Sequence, residues 1–289
     1  MSSDELKAMG DIVEPLVRQG QSFEAIWSNH TDELPVCVRT MYNYQNDGHF
    51  KLANLELPAK VRRKPGKKVS KGAVSRVDRT GRTYDDFEAL PLEDRVRVVQ
   101  GDSVCGFEHN KHDILSLHIV ARGFQSYFRK RHADAEATVA CIDAIEMACG
   151  SREEFEEWCP ILLLDRGVEF DDWEGIERSC LEPGKRRCRV FYCDPMESNQ
   201  KSPAERNHQQ LRRLLPKGRT NFDALTCTDV ATCCCHVNSY PLPTHSGKCG
   251  FDLIGGLLSQ EALDVLGFGK VAPDDVVLKP YLMKHAVEQ

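Results

Sequence analysis

From Arg95 onward, short strand-like runs alternate with helical stretches in an order that few sheet topologies can accommodate. Val96 to Asp102, Ile114 to Ala121 and Phe124 to Lys130 read as three successive strands, and the short links between them suit antiparallel neighbours. The spacing predicts a helix over Asp134 to Cys149 stopped by Gly150, and Ser151-Arg152-Glu153-Glu154 predicts a capping box that opens a second, shorter one. Pro160 to Leu164 then reads as a buried strand, Trp173 to Glu177 as a brief helix and Arg189 to Cys193 as another strand. A helix follows over Pro203 to Leu215, and Thr226-Cys227-Thr228-Asp229 caps one more that reaches about Asn238.

Three strands, a helix, a strand, a helix, a strand and then helices is the order of a ribonuclease-H-like α/β domain, a mixed five-stranded sheet with flanking helices. In that topology the first and fourth strands are neighbours. Asp102 and Asp165 each end an apolar, strand-like run, and Glu205 sits on the helix after the last strand, so the fold would converge three carboxylates. Hard cations such as Mg²⁺ prefer that oxygen-only environment. A pair of such ions can clamp the attacking and leaving oxygens of a phosphoryl displacement.

The first 50 residues read as three helices: about Asp4 to Gln19 with a possible bend at Pro15, Ser22 to Asn29, and Pro35 to Asp47 with Gly48 beyond its end. In the third, Val38, Met41 and Tyr44 face inward while Arg39, Thr40 and Asn43 face outward. This pattern suits a helix-turn-helix DNA reader, or a small helical bundle that binds protein. Asn54 to Thr83 lacks apolar periodicity. Between Lys60 and Arg82 it carries ten basic residues, among them Arg62, Arg63, Lys64, Lys67, Lys68, Arg79 and Arg82, opposed only by Asp78. Such a tract either contacts phosphate or is a solvated linker. The expected division is a DNA-binding domain over residues 1–50, a basic linker over 51–90, a catalytic domain over 91–240 and a C-terminal extension over 241–289.

The net charge of −6 argues against binding nucleic acid over the whole surface. With 41% hydrophobic residues the 289-residue chain can bury a core, yet no apolar run approaches the length that spans a bilayer. The start, Met-Ser-Ser-Asp-Glu, is no secretory leader, so the expected address is cytoplasmic, associated with the nucleoid when on DNA. An odd count of 13 scattered cysteines argues against a disulfide framework. Cys233-Cys234-Cys235-His236 lacks a CxxC pair, and adjacent helical positions point about 100° apart, so the four cannot face one ion.

The chain resembles the DDE transposases of bacterial insertion sequences, specifically the IS-thirty type, with a retroviral-integrase-like catalytic core. Matching stretches are Arg39-Thr40-Met41-Tyr42-Asn43-Tyr44, Leu57-Pro58-Ala59-Lys60-Val61-Arg62, Gly101 to Gly106 and Asp165-Arg166-Gly167-Val168-Glu169-Phe170. More specific are Phe191-Tyr192-Cys193-Asp194-Pro195, Gln200-Lys201, Glu205-Arg206-Asn207-His208 and Leu215-Pro216-Lys217-Gly218. The chain departs from the family at Ser202-Pro203, at Arg206 and in a tail without the family's basic run. The resemblance implies that Asp102, Asp165 and Glu205 hold two Mg²⁺ ions, for which Mn²⁺ can substitute. It further implies double-stranded DNA as partner, both element ends and target, and self-association in the active complex.

Each carboxylate also has a plainer reading: Glu205 as a capping-box glutamate after Ser202, Asp102 and Asp165 as turn residues. Glu169 suits support of a metal-bound water or a solvated loop, and Asp194 before Pro195 suits a turn. His208 is expected to pack or hydrogen-bond rather than ligate metal, and Arg206, Arg212 and Arg213 either meet phosphate or form an exposed basic face. The functional expectation is a transposase; the alternatives are a nuclease that does not join and an inactive DNA-binding descendant.

Overall fold

The structure, a computed structural model, describes residues 2–58, 77–195, 197, 200, 202–242 and 245–288, with side chains of 202–207 excluded. Arg62, Arg63, Lys64, Lys67 and Lys68 lie outside the described residues.

Helices α1 (Ser3–Arg18), α2 (Phe23–Asn29) and α3 (Val38–Asn46) form the N-terminal bundle. Ser2 and Glu5 close a capping box on α1, and Ser22 caps α2 by accepting from the Ala25 amide. Their apolar stripes meet in a separate core of Met9, Val13, Val17, Phe23, Ile26 and Met41. Val38 and Tyr44 are only partly buried; the buried polar residue of α3 is Gln45, whose amide donates to the Leu52 carbonyl at 2.8 Å.

After two short helices, α4 (Tyr84–Glu88) and α5 (Leu92–Arg95), the chain enters the sheet: β1 (Val98–Cys105), β2 (His112–Ile119), β3 (Phe124–Arg131), β4 (Ile161–Leu164) and β5 (Arg189–Tyr192). The strand order is β3-β2-β1-β4-β5, with β1, β2 and β3 antiparallel and β1, β4 and β5 parallel. This is the mixed five-stranded sheet expected of a ribonuclease-H-like domain. Helices α6 (Ala135–Cys149), α7 (Arg152–Trp158) and α8 (Trp173–Glu177) supply the crossovers, α9 (Ser202–Leu214) follows β5, and α10 (Cys227–Ser239) packs on β3. Ser151 caps α7, but Glu154 does not complete the expected box, because its carboxylate accepts from the distant Ser259 amide at 2.7 Å.

The C-terminal segment folds back over the sheet. It contributes α11 (Gly250–Leu253) and α12 (Gln260–Leu266), and Phe251 and Phe268 meet Phe124 with ring centroids 5.3 and 6.4 Å apart. The segment then crosses to the bundle, where the Leu278 amide donates to the Gln19 carbonyl at 2.8 Å and Gln21 Nε2 to the Pro273 carbonyl at 2.8 Å. Among the described residues no helix is long and apolar enough to cross a membrane, and all thirteen cysteines are free thiols.

Candidate active site

Asp102 does not end its strand, contrary to the sequence reading. The β1 ladder continues through Ser103, Val104 and Cys105, which pair with Leu115, Ile114 and Asp113, so Asp102 lies mid-strand opposite Ser116. Asp165 does follow the last residue of β4. The parallel register ends at the pair Gln100 and Leu163, and Asp102 and Asp165 each stand two residues beyond it along their own strands. Alternation decides the face. A Cβ on Gly101 would strike Leu162 and Leu164, so Gly101 points into the apolar layer and Asp102 to the opposite side.

Helix α9 lies along that opposite side. His208 Nδ1 is 3.5 Å from Asp102 Oδ2, with side chains only 15% and 24% exposed. Glu205 precedes His208 by three residues of α9 and Arg212 follows it by four; the Glu205 side chain lies outside the described residues. The Arg212 guanidinium donates to the Cys105 carbonyl at 2.9 Å; burial lowers its pKa, and its Nη1 has no hydrogen-bond partner among the described residues.

The loops around the carboxylates are fastened by hydrogen bonds. Asp102 Oδ1 accepts from the Ser103 amide at 2.9 Å and Asp165 Oδ1 from the Gly167 amide at 3.0 Å. A Cβ on Gly167 would sit 2.5 Å from a Glu169 carboxylate oxygen and 3.0 Å from Asp165 Oδ1, so the two carboxylates flank this glycine. Glu169 is half-buried beside Asp165. Asp194 is clamped: its carboxylate accepts from Arg166 at 3.3 Å and from Gln200 Nε2 at 3.0 Å, and its amide donates to Gln200 Oε1 at 2.7 Å. Gln100 Nε2 in turn donates to the Gln200 carbonyl at 3.4 Å, tying β1 to the approach of α9. Neither glutamine had been assigned a role from sequence, although Gln200 stood in one of the matching stretches.

The outward positions on α3 are open: Arg39 and Asn43 are exposed and Thr40 is half-buried. Two arginines of the basic tract are not available to phosphate. Arg79 pairs with Asp171 at 2.6 Å and lies over the Tyr192 ring, while Arg82 pairs with Glu177 at 2.9 Å and stacks 3.3 Å from the Trp173 centroid. A cation followed by an aromatic-rich core finds both a carboxylate and a π-face at home.

No family model matches the chain. Over 197 residues, 67% of this chain and 55% of the other, it is 23% identical to a curated protein named "Putative integrase ORF3" of Spiroplasma virus SpV1-R8A2 B, so it spans about half the length of that relative. Among solved structures it is similar to a chain of the simian T-cell lymphotropic virus intasome in complex with the PP2A regulatory subunit B56 gamma. That likeness has a TM-score of 0.43 and 14% identity, covers 77% of this chain and 68% of that chain, and is too distant to carry an argument. The sequence likeness is thus to that curated protein, and nothing in it singles out the IS-thirty type.

Proposed function

We propose that the chain is a transposase of the DDE kind, which binds the terminal inverted repeats of a DNA element and carries out metal-dependent cleavage and strand transfer. The supporting observation is that β1 and β4 are parallel neighbours, with Asp102 and Asp165 each two residues beyond the paired Gln100 and Leu163 and His208 of α9 against Asp102. Both carboxylates are half-buried, and their oxygens suit Mg²⁺, or Mn²⁺ in its place, better than a softer ion. Asp102, Asp165 and Glu205 would hold two such ions. When bound, these supply charge neutralisation at the phosphate and lower the pKa of the attacking hydroxyl.

The chain's own contribution is positioning, which phosphoryl transfer chiefly requires. β1 and β4 run side by side, so Asp102 and Asp165, each two residues past the last pair, would share one metal pair, and His208 would orient Asp102. Arg212, whose guanidinium donates to the Cys105 carbonyl, would turn toward a phosphate oxygen on the same side. Arg39, Thr40 and Asn43 on α3 would read the DNA, and Arg62, Arg63, Lys64, Lys67 and Lys68 would add phosphate contacts. Pairing two element ends calls for a homo-oligomer in the active complex.

The test is incubation of the protein with labelled element-end DNA and Mg²⁺ or Mn²⁺, beside Asp102→Asn and Asp165→Asn. Joined products that fall to background in both variants are expected. Nicking without joining would replace the transposase by a nuclease, and binding with neither product by an inactive descendant.

A further inference from the structure

Three residues beyond Asp102, β1 carries a donor of different chemistry. The antiparallel register pairs Cys105 with Asp113, and His132, just after β3, is held beside them by its amide bond to the Lys111 carbonyl at 2.9 Å. The Cys105 Sγ, a carboxylate oxygen of Asp113 and a ring nitrogen of His132 all lie within 4.8 Å of one another. His132 Nδ1 is 2.5 Å from Asp113 Oδ2. Asp113 is 2% exposed, whereas Cys105 and His132 are exposed and border a cavity of about 1060 Å³.

We propose that Cys105, Asp113 and His132 form a binding site for a zinc-class divalent ion, with the remaining coordination position open to the cavity. The donor set decides the class: one thiolate and one imidazole favour Zn²⁺ over Mg²⁺, so this site is chemically separate from the all-oxygen one. Charge closes as well. A thiolate and a carboxylate together neutralise a divalent ion, which a nearly buried carboxylate needs. Sheet pairing pre-sets two of the ligands, so little ordering is required on binding.

In the cation-free protein the Cys105 residue is exposed as a whole, but packing around its sulfur first and then the Asp113 charge push the thiol up to about 11. Binding near neutral pH therefore releases the thiol proton to solvent. His132 coordinates through Nδ1 and carries its proton on Nε2. The other cluster of this composition, Asp143, Glu146 and Cys180, offers no such place: the fully buried Arg187 already pairs with Asp143 at 2.6 Å and Glu146 at 3.0 Å.

Co²⁺ is the probe, added to the full chain and followed by thiolate-to-metal charge-transfer absorption. The site predicts a band saturating at about one ion per chain, displaced by Zn²⁺ and indifferent to excess Mg²⁺. Cys105→Ser should abolish it and His132→Ala should weaken binding by at least about tenfold. Cys227→Ser, which removes an exposed thiol elsewhere, should change nothing. Circular dichroism establishes that each variant is folded; both test residues are at the surface, which favours that outcome. A folded wild-type chain without the band, a band that survives Cys105→Ser, or affinity unmoved by His132→Ala overturns the proposal. None of these outcomes depends on DNA cleavage.

Discussion

His208 Nδ1 and Asp102 Oδ2 lie 3.5 Å apart, so α9 meets β1 through a polar pair two residues beyond the last paired residue of β1 and β4. The helix that carries Glu205 is thereby referenced to the strand that carries Asp102. Everything that fixes the height of α9 should then matter more to activity than to stability.

Gln200 is the clearest case. Gln200→Ala removes two hydrogen bonds to Asp194, at a cost of about 1 kcal/mol. Strand transfer should fall by a larger factor than the stability loss accounts for, because the start of α9 loses its anchor. Parallel measurement of denaturant midpoint and joined product checks this; activity that simply tracks stability would deny Gln200 a positioning role.

Gly101→Ala should act in the opposite proportion. The added Cβ would lie 2.4 Å from Leu164 Cδ2 and 3.4 Å from Leu117 Cδ2 and Leu162 Cδ1, within a packed layer. Overpacking of this kind costs about 1–3 kcal/mol. Thermal unfolding should show the loss, and an unchanged midpoint would mean that the leucines repack freely.

Arg39→Ala and Asn43→Ala should leave stability within about 0.5 kcal/mol, since both side chains are exposed. Binding to element-end DNA should nevertheless weaken. If Arg39 meets phosphate, its loss should also reduce the salt slope by about 1. Titration of the full chain at several salt concentrations decides the matter; undiminished affinity in both variants would take DNA reading away from α3.

A pH effect is expected where the bundle meets the C-terminal segment. Burial disfavours the charged His30 ring, yet hydrogen bonds to Glu33 and Asp274, each 2.8 Å, outweigh it and raise the pKa above 6.5. The folded protein thus holds this proton more tightly than the unfolded chain. The contribution is complete below the unfolded pKa and is lost as pH rises through the elevated folded one. Protection of the amides of residues 274–276, with the intrinsic base-catalysed rate divided out, should fall above that point, and His30→Gln should remove the dependence. Protection in the wild type that does not change with pH would show that this contact does not hold the joint.

The strand order and the pairing of β1 with β4 were legible because period-two runs and link lengths are local properties. Partners distant in sequence were not. Glu154 reads as the second half of a capping box, but Ser259 takes its carboxylate. Arg79 and Arg82 read as part of a phosphate-seeking tract, and charge alone does not tell a phosphate from Asp171 or Glu177. Asp102 looked like a strand terminus because Ser103 breaks the apolar run, whereas pairing with Leu115 carries the ladder onward. The residues after 240 offered no periodicity strong enough to place them, and Phe251 and Phe268 found the sheet through its aromatic face.

That C-terminal segment reaches from the β3 side of the sheet to Gln19 and Gln21 at the end of α1. A crosspiece of this kind works as a ruler. On the proposed reading, in which one end meets DNA and the other cuts it, the number of base pairs between the two events would be graduated by folded backbone.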